Sequence, residues 1–256
     1  MSVHDYTDYT FISGKNQLPI FNKIITLRKK VWPDFIRLQD DIVFKLYELY
    51  PDFQIGLLNN KTDELIGIVN TIPLIWTKPL SELSNDGVSW VINTGINEQY
   101  DVASANVLCA ISITIADHHR NKGISKILLQ YLKHIACYKK YISLIVPVRP
   151  TLKSLYPLIS IDKYIQWTNN DGLIFDPWLR IHVALGAHIL DVCNRSACIT
   201  ASIEQWEAWT GVPFPGDGAY VIKDALAPVY IVHQKNQGTY IEPNVWVSYP
   251  IDNVKL

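Results

Sequence analysis

Between Ile113 and Ser125 the chain reads ITIADHHRNKGIS, an apolar strand end passing through a basic, glycine-containing turn. Ile124, Ile127, Leu128, Leu132 and Ile135 then recur at helical spacing, so the turn opens a helix. The first amides of a helix lack intrahelical partners and point along the positive end of the macrodipole, and a phosphate docked there gains hydrogen bonds at no other group's expense. Arg120, Asn121, Lys122, Gly123, Ile124 and Ser125 are therefore candidate anion-binding residues. Gly123 lets the backbone approach closely, and Ser125 is too small to block it. Charge agrees, because from His118 to Leu155 the chain carries Arg120, Lys122, Lys126, Lys133, Lys139, Lys140, Arg149 and Lys153 without one acidic residue. An anionic ligand and a solvated basic face are equally compatible with that asymmetry alone.

In its context the turn resembles the GNAT acyltransferase superfamily, whose phosphate signature is Gln or Arg, two residues, Gly, one residue, then Gly or Ala. Arg120 and Gly123 match, and Ser125 departs from the last slot, leaving less room beside a pyrophosphate. The resemblance implies an α/β (α+β) fold with a central, mixed, splayed sheet flanked by helices. It implies that backbone groups around Ile113, Thr114 and Ile115 hold a pantetheine arm as an added strand. It also implies acetyl-CoA or a longer acyl-CoA as co-substrate, with no metal, and an acyl carrier protein as the other donor of the same thioester. Tyr156 lies seven residues after Arg149, where the superfamily often places a tyrosine seven residues after an Asn. That makes Tyr156 the leading proton donor to the departing thiolate, and places Arg149 in the donor site.

Direct attack by an amine requires a base. The strand Val107 to Ile115 has no Asp or Glu, so the candidates are His182 and His188, read as lying on a strand after Trp178, then His118 and His119 beside the turn. Ser112 or Thr114 ordering a water is another route. Trp76, Trp90, Trp167, Trp178, Trp206, Trp209 and Trp246 belong to an unusually large set of eight tryptophans. Lining an apolar acyl or acceptor pocket is the expectation for the group, against core packing for any single one. Acyl transfer to an amine of a small molecule or peptide side chain is the leading reading. A thioester decarboxylase or S-acyltransferase of a biosynthetic pathway keeps the fold and changes the chemistry, and a non-catalytic acyl-CoA-binding module is the third reading. Nucleic-acid binding is disfavoured, because the lysines are interleaved with an apolar helix and strand. A homodimer is compatible with all of these.

The elements that must position these residues follow from periodicity. Leu18 to Val31 and Asp40 to Tyr50 read as helices, the first stopped by Pro33; Phe53 to Leu58 and Leu65 to Ile72 read as a hairpin around Asn59-Asn60-Lys61. Ser81 to Asp101 reads as an irregular insertion or short helix. Val107 to Ile115 is a strand, Tyr141 to Val148 a strand buried on both faces, and Arg149-Pro150-Thr151 opens a helix through Tyr156. Strand, helix, strand implies a parallel pair. Beyond Asp176-Pro177, Leu179 to Val192, Ala197 to Ser202 and Val221 to His233 read as strands, Ile203 to Trp209 as a helix, and Tyr240 to Ser248 as a last extended piece.

The 256 residues support one domain, with a core over about 15–165 and a C-terminal elaboration over about 170–256. DPWLRIHVALGAHI, SIEQWEAWTG and EPNVWV in that elaboration are similar to a bacterial subgroup of the superfamily. With 48% hydrophobic and 18% charged residues the composition is globular, and no apolar run reaches the roughly 18 residues of a membrane span. The first residues, MSVHDYTDYTFISGK, lack an export signal, which places the protein in the cytoplasm. Four cysteines without paired spacing argue against a zinc site or a disulfide framework.

Overall fold

The apolar run Val107–Ile115 forms strand β4, and the computed structural model, which describes residues 8–14, 19–98 and 100–251, builds the fold around it. Strands β1 (Tyr9–Ser13), β2 (Gln54–Asn59) and β3 (Glu64–Leu74) precede it in the sheet, and β5 (Ser143–Val148) follows. The C-terminal third supplies β6 (His188–Ala201), β7 (Gly218–Tyr220), β8 (Val229–Val232) and β9 (Gln237–Pro250). The spatial order is β1-β2-β3-β4-β5-β9-β8-β7, with β6 on the other edge of β9. The β4–β5 pair is parallel and every other pair is antiparallel.

That parallel pair is short. Only Val107, Leu108 and Cys109 of β4 face Ser143, Leu144 and Ile145 of β5. Beyond them β4 stays with β3 through Ile115, whereas β5 stays with β9 through Val148, so the sheet splays into a V. A bulge on β4 helps it diverge: Asn70 faces Ser112 and Thr71 faces Ala110, leaving Ile111 as the extra residue. Strand β9 is long enough to carry β5 along its last residues and β8 along its first, end to end on one edge.

Helices α1 (Phe21–Val31) and α2 (Asp40–Leu49) match the two amphipathic segments, although Leu18 lies outside the described residues. Helix α1 packs on β3 and β4, while α4 (Ile124–Tyr138) packs on β3, β4 and β5. The segment Ser81 to Asp101 is more ordered than its glycines suggest, because it contains α3 (Gly87–Asn97). Gly95 earns its place there by contact: a Cβ would lie 2.5 Å from Ile72 Cγ2.

Three expectations need correction. The stretch after Trp178 starts not as a strand but as α6 (Pro177–Ala184), following the short α5 (Ile161–Tyr164). Asp176 caps it by accepting from the Trp178 and Leu179 amides, with Pro177 at the first helical position. The helix expected through Tyr156 shrinks to the 3₁₀ turn Lys153–Leu155, since the Leu152 amide is drawn to Asp176 Oδ2 and Pro157 follows. Of Val221 to His233 only Val229–Val232 is strand, whereas α7 (Ile203–Thr210) forms where expected. No helix among the described residues is long and apolar enough to cross a membrane.

Candidate active site

The turn after β4 carries two left-handed residues, Asn121 at φ 60° and Gly123 at φ 78°, and Gly123 is the N-cap of α4. No side chain caps that helix, and nothing lies within 4 Å of where a Gly123 Cβ would stand. Successive amides are thus left facing solvent in a concave arrangement suited to an anion. Arg120 pairs with Asp117 at 3.0 Å, while Lys122 and Lys126 form no ion pair among the described residues. Ile124 is buried and anchors the helix start; Ser125 is half-buried beside it.

The histidines of the turn are held by Glu64 at the start of β3. Its carboxylate oxygens lie 3.0 Å from His118 Nε2 and 3.6 Å from His119 Nε2. Hydrogen bonding from His118 keeps the Glu64 carboxyl below the usual carboxylate range. This cluster pins the turn to the sheet.

Along the V, the stretch Ala110 to Ile115 of β4 has β3 on one edge and, among the described residues, no strand on the other. Ile113, Thr114 and Ile115 therefore border an open edge. The register puts Asn70, Ser112 and Thr114 on the face that α1 covers. There Arg28, 1% exposed, donates to Asn70 Oδ1 at 2.7 Å and approaches Ser112 Oγ at 3.3 Å. Its Nε is buried without a partner, and it forms no ion pair among the described residues. Burial lowers its guanidinium to about 10, still charged near neutrality. Trp32, just past α1, donates from Nε1 to Thr114 Oγ1 at 2.9 Å.

Tyr156 follows the other arm of the V. Its ring packs edge-on against Trp167 at 4.9 Å and Phe175 at 5.9 Å, while Lys153 donates to its carbonyl at 2.9 Å. Its hydroxyl takes no hydrogen bond from the described residues, so it is free for a ligand. Arg149 is already engaged: Nε lies 3.0 Å from both Glu242 oxygens, and the guanidinium donates to the Asp224 carbonyl. It bridges the gap between β5 and β8.

The other two histidines sit elsewhere. His182 belongs to helix α6 and is fully buried, with Nδ1 2.7 Å from the Tyr249 hydroxyl. Tyr249 faces Leu144, in the closed part of the β4–β5 pair. Burial pulls the His182 imidazole down to about 3, so it is neutral near pH 7. His188 is exposed at the first position of β6, opposite Ser248, which in turn faces Ile145. Neither borders the open stretch of β4.

The tryptophans divide among separate packing sites instead of lining one pocket. Trp76, Trp90 and Trp246 pack edge-to-face in series; Trp206 and Trp209 meet at 5.2 Å; Trp178 packs on His182. Residues that the spacing did not single out are Arg28, Trp32, Asp34 and Asp224. The one signal was Trp32-Pro33-Asp34, a tryptophan and an acid flanking a helix stop.

No protein-family model matches the chain. It is 30% identical over 251 residues to the arginine N-acetyltransferase avaD of Aspergillus versicolor, covering 86% of each protein. Its fold is similar to the loading GNATL domain of CurA from Lyngbya majuscula, with a TM-score of 0.63 and 17% identity over 95% of this chain and 98% of that one. It is also similar to the GNAT-like decarboxylase GphF, solved with isobutyryl-CoA, with a TM-score of 0.61 and 13% identity over 95% and 100% of the two chains.

Proposed function

The chain belongs to the GNAT superfamily of acyltransferases, and we propose that it moves an acyl group from an acyl-CoA to an amine by direct attack in a ternary complex. The observation that carries this reading is the open edge of β4 running into an uncapped, basic helix start. The two features are continuous, so one ligand with an amide-bearing arm and a diphosphate satisfies both. A carrier-protein arm has a single phosphate and no diphosphate, which favours CoA as the donor. The turn residues 120–125 hold the diphosphate, and the backbone at Ile113 to Ile115 holds the arm.

The amine nitrogen attacks the thioester carbonyl carbon, the carbon–sulfur bond breaks, the nitrogen gives up its proton to water, and the thiolate takes one. Tyr156, whose hydroxyl takes no hydrogen bond from the described residues, is assigned as the donor of that proton. Arg28 adds a fixed positive charge behind Ser112, favouring the oxyanion of the tetrahedral intermediate. A covalent acyl-enzyme on β4 is disfavoured, because burial raises the Cys109 thiol well above its ordinary range. His182 is left out of the base role, because burial encloses it and lowers its basicity. The arginine N-acetyltransferase relative supports a basic amino acid, free or within a peptide, as the acceptor.

Mass spectrometry of the protein purified from its native host, together with calorimetric titration of CoA, tests the reading. Stoichiometric binding that weakens at least tenfold in Gly123→Val is expected, because a β-branched residue resists φ 78° and its side chain fills the anion cradle. No CoA binding by the native chain overturns it.

A further inference from the structure

One cleft has chemistry of its own. A cleft of about 260 Å³, open to solvent, lies between the turn joining α1 to α2 and the C-terminal third, just under the roughly 300 Å³ lower end of drug-sized sites and so on the scale of a single amino acid. Trp32 and Asp34 line one side, Trp209, Lys223 and Asp224 the other.

Its walls hang on the two arms of the V. Trp32 is bonded to Thr114 on the open stretch of β4. The Asp224 carbonyl is bonded to Arg149, the residue immediately after β5. The cleft is thereby tied to both arms of the V, beside the open stretch of β4.

The charges in the cleft are incompletely matched within the protein. Lys29 at the rim pairs with Asp40 at 3.2 Å and Asp34 with Arg37 at 3.3 Å. Lys223 and Asp224 have no ion-pair partner among the described residues. Two indoles together with carboxylates suit a flat, weakly hydrated cation, which stacks on aromatic faces and pairs with oxygen pairs in its own plane. An unpaired lysine beside them suits a carboxylate.

Resting on the acyl-transfer reading, we propose that this cleft is the acceptor subsite and selects a guanidinium-bearing amino acid, alone or in a peptide. Trp32 and Trp209 flank the cation, Asp224 and Asp34 are its counter-charges, and Lys223 meets the acceptor's carboxylate or carbonyl. The C-terminal third is then the specificity wall of the enzyme.

The test measures acetyl transfer from acetyl-CoA to L-arginine and to its neutral isostere L-citrulline, with L-arginine binding followed by calorimetry in the presence of CoA. L-arginine is expected to show a KM at least tenfold below that of L-citrulline. Asp224→Asn removes most of that difference by raising the arginine KM about tenfold, while the Kd for CoA stays unchanged. Asparagine tolerates the φ of 64° at this position, and Asp34→Asn is a second variant that leaves the Arg149 contact intact. Transfer to arginine with the same KM in native protein and both variants overturns the cleft assignment while the acyl-transfer reading survives. CoA binding without any arginine binding or transfer overturns it as well. Loss of CoA binding by the native protein defeats the acyl-transfer reading and the inference with it.

Discussion

Tyr156 and His182 show how burial sorts similar polar side chains into opposite roles. The Tyr156 hydroxyl makes no bond that folding needs, so Tyr156→Phe should change stability by less than about 0.5 kcal/mol. If it protonates the thiolate, kcat falls roughly 100-fold or more while the Kd for CoA holds; stopped-flow turnover beside calorimetry reads both, and unchanged kcat removes the assignment. His182 has the reverse profile. Its folded value near 3 lies below the unfolded value of 6.5, so between those limits the unfolded chain binds a proton that the folded chain refuses. Stability is therefore complete above pH 6.5 and declines as the pH falls through that window, by about 2 kcal/mol at pH 5. Urea melts at pH 7 and pH 5 check it, and His182→Phe should flatten that part of the dependence.

Among the elements, the strand–turn–helix from Val107 to Tyr138 was legible because its signals agree: a continuous apolar strand, a glycine turn and one clean helical stripe. Helix α6 was not. Leu179, Ile181, Val183 and Leu185 alternate with polar or small residues and imitate a strand, yet His182 is buried while Ile181 and Val183 are exposed. The capping pair Asp176-Pro177 outweighs the alternation. Helix α3 was obscured by Gly95, whose purpose is tertiary and invisible to periodicity. Gly95→Ala should gain helix propensity of up to about 1 kcal/mol but force a Cβ against Ile72, for a net loss of about 1–2 kcal/mol after the overpacking cost. A thermal melt showing stabilisation contradicts that account of the contact.

At the scale of the molecule, the acceptor side was the part hidden from sequence, because Trp32 and Asp34 meet Trp209 and Asp224 only after the chain has crossed the whole sheet. The joint that brings them together is Arg149 with Glu242, a pair whose carboxylate is almost fully buried and also accepts from the Tyr240 hydroxyl at 2.7 Å. Removing one member of such a pair strands the other, so Glu242→Gln should cost about 3 kcal/mol in chemical denaturation. A cost below about 1 kcal/mol implies that water reaches the joint.

Strand β9 runs past both β5 and β8, and so the ligand-gripping half of the sheet and the half that builds the opposing wall share one backbone and meet through the side chains of the Arg149–Glu242 joint. Residues 203–236 are thus free to diverge under selection for new amines while the nucleotide clasp is inherited unaltered. Grafting that segment from a relative with a different acceptor is the natural way to rewrite the preference of this enzyme.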